Sequence, residues 1–386
     1  MALQIIFDKK SKKLYVDDPS TMDILRGSHF GNAERGRLAL RPEEALYIMD
    51  VRKGSCTDTY GNTATFNTIA STFNTKKFMA RYFTYKDWRD KGLVVRYIGD
   101  AQMHGARAQQ TKRYSASAAK PKILRMSAAF FPADLIAVVD DPEKGRSIYE
   151  QLWLGQYGTY KMQDHGSFNK LDIYETMFLI ERKRLSITNS TKARILRAAT
   201  ERRRDFWKLY NVYSDWRSKG YVIKTGFKFG THFRLYFPGA RPVKGNNWVH
   251  SMHVIHVFPR DAKLLISEWA RVIRVAHSVR KTFILAIPGR SRRKSLDADF
   301  VLYHRKGGNT ETPSDSAPRF EMLSLSEEEY IGGAELSAII NRVKENGKEL
   351  IIAIADRETA VTYYKVRRIE LQGSTYEYYE IDWMQP

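Results

Sequence analysis

Three residues in the middle of the chain could together catalyse a reaction at a phosphodiester: Tyr236, His250 and Lys281. Cleavage of RNA by its own 2′-hydroxyl needs one group that accepts the hydroxyl proton and another that protonates the departing 5′-oxygen. A fixed cation must stabilise the negative charge of the phosphorane between them. Histidine, with an ordinary pKa of about 6.5, can accept or donate a proton near neutrality, whereas tyrosine, at about 10, needs a neighbouring cation to serve as a base. These residues need no metal ion for that reaction.

The stretches that carry these residues indicate the elements that must position them. Tyr236 closes a strand-like run, FRLYF, which follows the turn sequence GFKFG, and His250 opens HSMHVIHV. Lys281 ends AKLLISEWARVIRVAHSVRK, whose apolar residues recur at helical spacing. The apolar stripe consists of Leu264, Leu265, Trp269, Val272, Ile273 and Ala276. The sequence therefore predicts a helix that reaches Lys281 and a strand that follows it.

The stretches GFKFGTHFRLY, HSMHVIHV and SVRKTFILAI resemble, in order and spacing, the catalytic domain of tRNA-splicing endonucleases, especially the archaeal enzymes, and the resemblance covers most of the chain. It implies that Tyr236 is the general base, His250 the general acid and Lys281 the residue that stabilises charge. It also implies excision of introns from precursor tRNA at bulge-helix-bulge motifs, with 2′,3′-cyclic phosphate and 5′-hydroxyl ends and without a cofactor. The residues themselves leave open which of Tyr236 and His250 is base and which is acid.

Other histidines near His250 raise alternatives. His250, His253 and His256 recur at every third position, which suggests a metal site. On a strand, however, His253 would face away from the other two, and no carboxylate or cysteine stands close by in the sequence to complete the site. We therefore expect no metal and interpret His253 and His256 as packing residues. His232 stands where many family members have aspartate, so the choice between His232 and His250 stays open.

Two candidate RNA-binding residues, Arg271 and Arg274, precede Lys281 on the predicted helix. Both lie opposite the apolar stripe, where a solvated basic face is the simpler interpretation. In the family, an arginine at the position of Arg274 stacks on a splayed bulge base, and guanidinium stacking on unpaired bases is a general mode of RNA recognition. The resemblance thus implies an RNA contact for Arg274.

The 386-residue chain carries a formal net charge of +21 and 43% hydrophobic residues. We prefer nucleic acid over simple solubility as the explanation of this charge, because Lys and Arg contacts to phosphate release counterions. Cys56 is the only cysteine, which excludes internal disulfides and a thiolate zinc site. The N-terminal segment has neither a signal pattern nor a membrane-spanning run, so we expect a cytoplasmic protein.

An internal repeat organises the chain. LRPEEALYIMDVRK and YFTYKDWRDKGLVVR return as LDIYETMFLIERKR and YNVYSDWRSKGYVIK at nearly the same offset. We therefore predict an α+β fold of duplicated units, each with small mixed sheets flanked by helices. The predicted division is a truncated N-terminal unit 1–103, a linker 104–122, the N-terminal domain 123–195 and the catalytic domain 196–305 of a complete unit, a linker 306–318 and a C-terminal half-unit 319–386.

The two copies differ in the loop 155–171 of the complete unit. If Gly31 corresponds to Gly158, four residues have been added to this loop, which carries Lys161. Additions to surface loops are usually neutral. Our hypothesis is that Lys161 reaches the RNA and that the loop widens the range of accepted introns.

One chain offers a single set of Tyr, His and Lys, whereas excision of an intron takes two cuts. The simplest complete enzyme is therefore a homodimer with two-fold symmetry. Lys348, the counterpart of Lys281 in the C-terminal half-unit, is interpreted as structural. In the family, an acidic loop of the noncatalytic unit docks beside a partner's active site, and the turn with Asp356 and Glu358 occupies the corresponding hairpin. The chain resembles the fused, three-unit type.

Two other functions stay open from the sequence. A noncatalytic RNA-binding scaffold would share the basic charge, and cleavage of RNA in EDTA separates it from the nuclease. A metal-dependent DNA nuclease would also use a lysine at a strand, but Val279 stands where such a site needs a carboxylate.

Overall fold

Alternating apolar residues build the N-terminal hairpin that LQIIF and KKLYV predict. The computed structural model describes residues 3–101, 111–117, 123–244, 247–289 and 296–386. The first strands are β1 (Gln4–Asp8), β2 (Lys13–Val16), β3 (Asn32–Glu34), β4 (Arg37–Leu40) and β5 (Ser55–Asp58). They form one sheet with the order β3-β4-β2-β1-β5, in which β1 and β5 are parallel. The helices beside it are α1 (Pro19–Gly27), α2 (Pro42–Asp50), α3 (Phe66–Thr72) and α4 (Phe78–Asp90).

The two short strands that follow α4 do not belong to the first sheet. Gly92 follows the end of α4 with a positive φ of 75°, the helix stop that the sequence predicts, and β6 (Val95–Tyr97) comes directly after it. β7 (Lys112–Tyr114) lies within the predicted linker, where Tyr114 is buried. Residues 104–110 and 118–122 of that linker lie outside the described residues.

A sheet of the same topology recurs in the middle of the chain. Its elements are β8 (Met126–Phe131), β9 (Ile136–Val139), α5 (Pro142–Leu152), β10 (Gln156–Tyr157), β11 (Asn169–Leu171), α6 (Ile173–Glu181) and β12 (Leu185–Ile187). They are followed by α7 (Lys192–Arg202) and α8 (Phe206–Ser218). The strand order β10-β11-β9-β8-β12, with β8 parallel to β12, repeats that of the first sheet. The duplicated α+β fold predicted from the sequence is therefore confirmed.

The remaining elements form two groups, and nine of their strands join β6 and β7 in one eleven-stranded sheet, while the other six pair in separate two-stranded sheets. The first group comprises β13 (Val222–Thr225), β14 (Phe233–Tyr236), β15 (Val243–Lys244), β16 (Asn247–Trp248), β17 (His253–Val257), β18 (Lys263–Leu265), α9 (Ile266–Ser278) and β19 (Thr282–Ile287). The second comprises β20 (Phe300–Leu302), β21 (Arg305–Lys306), β22 (Asn309–Thr310), β23 (Phe320–Ser326), β24 (Tyr330–Gly332), α10 (Gly333–Glu345), β25 (Glu349–Ala355), β26 (Val361–Leu371) and β27 (Glu377–Met384). The strand order is β13-β14-β17-β19-β27-β26-β25-β23-β20-β6, and β7 pairs with β26.

This sheet has internal pseudo-two-fold symmetry about the antiparallel pair β26 and β27. The parallel pair β17 and β19 on one side corresponds to β23 and β25 on the other, and β18 pairs with β24 across the axis. Likewise, the antiparallel pair β13 and β14 corresponds to β6 and β20. One half of the sheet is thus built from both ends of the chain, with the middle unit inserted between β6 and β20.

Helices cover both faces of this sheet. On one face, α9 and α10 bury apolar residues that include Trp269, Ile273 and Leu336. On the other, α4 and α8 bury Trp88 and Trp216 completely. Among the described residues, no helix has the length and apolar character that crossing a membrane requires.

The division into domains stays a prediction, although strand pairing runs across its boundaries. β20 belongs to the predicted catalytic domain 196–305, yet it pairs with β6 and β23. β27 belongs to the predicted half-unit 319–386, yet it pairs with β19. The predicted linker 306–318 contains β22, which forms a short hairpin with β21.

The helix before Lys281 is shorter than its periodicity predicts. Leu264 and Leu265 lie in β18 because that segment pairs with residues 330–332, and α9 begins only at Ile266. At the other end α9 stops at Ser278, since Arg280 adopts a left-handed φ of 54°. Lys281 therefore lies between α9 and β19.

A buried carboxylate locks each small sheet to the large one. Glu175 in α6 accepts hydrogen bonds from Gly155 N at 2.9 Å and from Lys224 Nζ of β13 at 2.6 Å. In the first unit, Glu44 accepts from Gly31 N at 3.0 Å and lies 3.6 Å from the guanidinium of Arg96 in β6. The same polar contact thus fixes both units, which supports the symmetry of the sheet.

The position of the last strand between β19 and β26 generates a stability prediction. Ile381 is fully buried and pairs with both neighbours, so Ile381→Ala should lower the free energy of unfolding by about 2–5 kcal/mol. Trp383 lies in the same strand but is 55% exposed, and Trp383→Ala should cost less than about 1 kcal/mol. Urea unfolding followed by circular dichroism measures both. Equal losses would show that β27 is not held as described.

Candidate active site

Tyr236 and Lys281 lie in one row at one end of the sheet. Leu235 pairs with His253 in the antiparallel pair β14 and β17, and His253 pairs with Thr282 in the parallel pair β17 and β19. The next row therefore contains three residues, Tyr236 in β14, Met252 just before β17 and Lys281 just before β19. Since neighbouring strands are about 4.8 Å apart, the backbones of Tyr236 and Lys281 are separated by about 10 Å.

The side chains of this row point to one face. Leu235 is buried against α8 and the small sheet, so Tyr236 points to the opposite face. Phe283 is buried against α9, and Lys281, two positions earlier, shares its face. The two side chains therefore project from the same face of the sheet.

Lys281 is held near the segment that carries His250. Its Nζ donates a hydrogen bond to the carbonyl oxygen of Ser251 and lies 4.8 Å from the ring centroid of Phe229. The side chain is only 9% exposed, and burial lowers the pKa of its ammonium group, with a further contribution from Arg234. Its charge faces a carbonyl and an aromatic ring, so it is available to an anion.

The side chain of Tyr236 is packed against the small sheet and helix of the middle unit. Its ring lies 4.5 Å from the ring of Trp153, and the residue is 4% exposed. Burial raises the pKa of the phenol, whereas Arg234 and Ser251 act in the opposite direction. The hydroxyl is therefore protonated at neutral pH, so it can donate a proton directly, but it needs a change in its surroundings before it can accept one.

His250 and the other histidines occupy different environments. His250 precedes β17 and its side chain is exposed. His232 is half-buried, its Nδ1 accepts a hydrogen bond from Val257 N at 2.9 Å, and desolvation of its ring lowers its pKa to about 4. His253 and His256 are also held in packing contacts, and burial lowers their pKa values to about 4 and 3. Of these residues, His250 is the one that an incoming substrate can reach.

Among the described residues, no group of three or more histidine, cysteine, aspartate or glutamate side chains is arranged to hold a metal ion. His253 and His256 are directed into separate contacts: His253 Nε2 lies 3.3 Å from the hydroxyl of Tyr114, and the ring of His256 lies 4.5 Å from that of His232. The regular spacing of the histidines in the sequence therefore does not bring them to one point.

The predicted RNA-binding arginines lie at the surface. Arg271 and Arg274 in α9 both have exposed side chains, on the helix face that turns away from buried Trp269 and Ile273. Arg274 is close enough to Tyr364 to oppose the rise in the pKa of that buried phenol. Both guanidinium groups are accessible from solvent.

The loop that carries Lys161 contacts the candidate site. Lys161 is exposed in a tight turn, with a positive φ of 62°. The preceding residue, Tyr160, lies 4.5 Å below Lys228 Nζ and 6.3 Å from the ring of Trp248, two residues before His250. The loop therefore packs on the two turns that flank the site.

The structure corrects the alignment of this loop with its first copy. Gly155 N, rather than that of Gly158, makes the contact to Glu175 that Gly31 N makes to Glu44. Gly155 lies 20 positions before Glu175, whereas Gly31 lies 13 positions before Glu44. The loop of the second copy is therefore seven residues longer than that of the first, rather than the four that the comparison of Gly31 with Gly158 predicts. Gly158 itself is required, because a Cβ there would collide with the carbonyl of Gln163.

The acidic turn lies between β25 and β26. The carboxylate of Asp356 accepts hydrogen bonds from the backbone of Glu358 and Ala360, each at 2.9 Å, and Glu358 is exposed. Arg357 is tied to Glu327 and Glu328. Asp356 thus shapes the turn, and Glu358 presents its charge to solvent.

The pseudo-symmetry reveals a counterpart of the site that sequence reasoning missed. Tyr303 N donates to Val94 O at 3.0 Å, which gives Tyr303 the position of Tyr236 opposite Val222. The similarity of FVLYH to FRLYF was the signal in the sequence.

The histidine is missing from this counterpart. Phe320 corresponds to His253 because each pairs with the residue after the matching lysine, Lys348 or Lys281. Counting back along both strands, Ala317 occupies the position of His250. The second half of the sheet therefore has the tyrosine and the lysine but alanine at the position of His250, and its own His304 lies next to Tyr303, 5.9 Å from the ring of Phe320.

Comparison with known proteins agrees with this geometry. Residues 206–297 match the family described as tRNA intron endonuclease, catalytic C-terminal domain. The tRNA-splicing endonuclease of Pyrobaculum arsenaticum is 31% identical over 163 residues, which cover 39% of this chain and 86% of that protein. The corresponding protein of Hyperthermus butylicus is 32% identical over 163 residues, 40% of this chain and 87% of that protein.

A longer relative matches over a smaller share of its own length. The tRNA-splicing endonuclease of Methanococcoides burtonii is 36% identical over 156 residues, which cover 39% of this chain and 42% of that protein. The relatives come from archaea, and the matched family domain contains Tyr236, His250 and Lys281. Together with the site, these matches establish that the chain belongs to the tRNA-splicing endonuclease family.

Proposed function

We propose that this chain is an endonuclease that excises introns from precursor tRNA at bulge-helix-bulge motifs. The observation that carries the proposal is that Tyr236 and Lys281 share one row and one face of the sheet. Lys281 also donates a hydrogen bond to the carbonyl oxygen of Ser251, the residue after His250. The product ends are 2′,3′-cyclic phosphate and 5′-hydroxyl, because the nucleophile is the RNA's own 2′-oxygen. The enzyme acts where precursor tRNA is present, in the cytoplasm.

In the proposed mechanism, each residue has one role. Tyr236 accepts the 2′-hydroxyl proton, His250 donates a proton to the departing 5′-oxygen, and Lys281 stabilises the phosphorane. Because burial raises the pKa of Tyr236, its role as base depends on the cations Lys281 and Arg234 once the substrate excludes water. The three groups supply all the proton transfers and the cation that the reaction needs, so the reaction proceeds without a metal.

Recognition rests on the shape of the RNA. A splayed bulge can place the 2′-oxygen in line with the 5′-oxygen, whereas a stacked duplex cannot reach that geometry. We propose that Arg274 and Arg271 contact the bulge and that Lys161, at the tip of the loop packed on Trp248, widens the range of accepted introns. The exposure of these three side chains supports the proposal.

The proposed active form is a homodimer, since each chain carries one complete set of catalytic residues and an intron has two ends. Ala317 at the position of His250 supports one site per chain. The acidic turn with Asp356 and Glu358 is proposed to contact the partner subunit beside its active site.

The chemistry predicts a specific pattern of cleavage. In EDTA, the enzyme should cut both splice sites of a model precursor with a bulge-helix-bulge, and a 2′-deoxy residue at one site should block that cut alone. His250→Ala should slow both cuts about 10²–10⁴-fold, the usual size of a general acid's contribution. Denaturing gels measure the rates. His29→Asn, a histidine variant in the N-terminal unit whose φ of 60° suits asparagine, should cut like the wild type.

A bridging 5′-sulfur at the splice site separates acid from base. A thiolate departs without a proton donor, so this substrate should restore cleavage by the variant that lacks the general acid. We expect rescue of His250→Ala and none of Tyr236→Phe. The opposite pattern would exchange the two roles, and cleavage of the 2′-deoxy site would refute the mechanism.

The proposed RNA contacts predict separate effects on binding and on substrate range. Arg274→Ala and Arg271→Ala should weaken binding of an uncleavable 2′-deoxy precursor several-fold, as expected for the loss of one stacking or phosphate contact each. Lys161→Ala should slow cleavage only of substrates with non-standard bulges. Filter binding and gels measure these effects, and Arg197→Ala on the exposed face of α7 is the matched control. An unchanged rate of Lys161→Ala on a non-standard bulge contradicts its role.

The proposed dimer contact predicts a change of mass. Light scattering after gel filtration should give about twice the 44.7 kDa of one chain for the wild type. Glu358→Lys should shift the mass towards that of the monomer, because a like charge would face the basic surface of the partner. Asp23→Lys, which reverses an exposed charge on α1, is the control. A Glu358→Lys protein that stays fully dimeric excludes this turn from the interface.

A further inference from the structure

Phe227 is unusually exposed for a side chain without a polar atom. Its side chain is 88% exposed, close to the 89% of Tyr60 in the N-terminal unit. Leaving such a ring in water forgoes the hydrophobic stabilisation that its burial would give. Single exposed apolar residues are common on proteins, so the position of Phe227 must carry the argument.

The turn that contains Phe227 is fixed by hydrogen bonds at both ends. Gly226 N donates to His232 O at 2.9 Å, Phe229 N to Gly226 O at 2.8 Å, and Gly230 N to Phe227 O at 3.2 Å. A side chain at Gly226 would collide with Thr231, and Gly230 has a positive φ of 64°. Residues 227–229 therefore form a single 3₁₀ turn that presents the ring of Phe227 in a defined place.

The two residues that follow Phe227 are both engaged at the candidate site. In a 3₁₀ turn, successive side chains point about 120° apart. The ring of Phe229 lies 4.8 Å from Lys281 Nζ, and Lys228 Nζ lies 4.5 Å from the ring of Tyr160 in the loop with Lys161. The third direction, that of Phe227, leads to solvent between the catalytic lysine and this loop.

We propose that Phe227 is a stacking platform for an unpaired base of the RNA next to the cleaved phosphate. This inference rests on the proposed function, because it needs a substrate with splayed bases. A flat apolar ring beside fixed cations is the arrangement that binds single-stranded nucleotides, and stacking of one base on an aromatic side chain is worth about 1–3 kcal/mol. Lys228 and Arg234 supply the neighbouring positive charge for the phosphates.

A series of variants at this position tests the platform. Phe227→Ala should lower kcat/KM for a bulge-helix-bulge precursor about 5- to 160-fold, the range that corresponds to the stacking energy. Phe227→Trp should keep the activity, and Phe227→Leu should lie between, because it keeps apolar volume but has no flat face. Tyr60→Ala, which removes an equally exposed ring far along the chain, should have no effect. Thermal unfolding should be unchanged in all variants, since the ring is not packed.

An abasic substrate identifies the base that stacks. Removing the base at one unpaired position should slow the wild type by the same factor as Phe227→Ala, and the variant should not be slowed further at that position. In an uncleavable 2′-deoxy precursor, 2-aminopurine at that position should be quenched by the wild type and not by Phe227→Ala. This fluorescence readout does not depend on catalysis.

The outcomes are distinguishable. If the wild type fails to cut any intron-containing RNA, the proposed function falls, whereas quenching that depends on Phe227 would still support the platform. Wild-type rates for Phe227→Ala on every precursor, or equal losses on intact and abasic RNA at every position, overturn the platform. A change of molecular mass in Phe227→Ala also overturns it, since the ring would then be a contact between subunits.

Discussion

The pairing of β27 with β19 is the constraint on which the site depends. The strand that begins next to Lys281 has β17 on one side and the last strand of the chain on the other. A half-sheet ending at β19 would leave its hydrogen-bonding groups unpaired and its apolar row exposed. The strand that follows Lys281 is therefore held on one side by residues about a hundred positions away.

The same arrangement interleaves the two halves of the large sheet along the chain. The middle unit is inserted between β6 and β20, and its sheet is completed by the C-terminus. Each half also carries a buried ion pair, Glu175 with Lys224 and Glu44 with Arg96, that ties a small sheet to the large one. Removing one member of such a pair leaves an uncompensated buried charge, which is strongly destabilising. The duplicated contact attaches both small sheets in the same way, although only one half has all three candidate catalytic residues.

Local patterns in the sequence predicted the elements that depend on local interactions. The hairpin of β1 and β2, the helices α2 and α6, and the stop at Gly92 follow from alternation, capping and positive φ. What failed depends on distant partners. Leu264 and Leu265 have helical spacing with α9 but pair with β24. The FVLYH run lies within the predicted catalytic domain, but no local pattern indicates that its partner strands lie at 95–97 and 320–326.

The candidate site shows the same division. Tyr236 at the end of a strand and Lys281 before a strand could be read from the sequence, and so could their order along the chain. Their common face could not, because it depends on the register of three strands from separate segments. The burial of Tyr236 against Trp153 also depends on the small sheet, which no pattern around Tyr236 indicates.

The two halves of the sheet surround their matching lysines, Lys281 and Lys348, with different groups. Lys348 is 3% exposed and lies close enough to Glu321 to stabilise its charged form. The position that corresponds to Glu321 in the other half is Val254, on the face that Lys281 shares. A buried lysine beside a carboxylate already has a counter-charge, whereas a lysine beside a carbonyl and an aromatic ring gains more from an incoming anion. We therefore expect the residue at this position, valine or glutamate, to distinguish Lys281, the proposed phosphate contact, from Lys348, whose predicted role is structural.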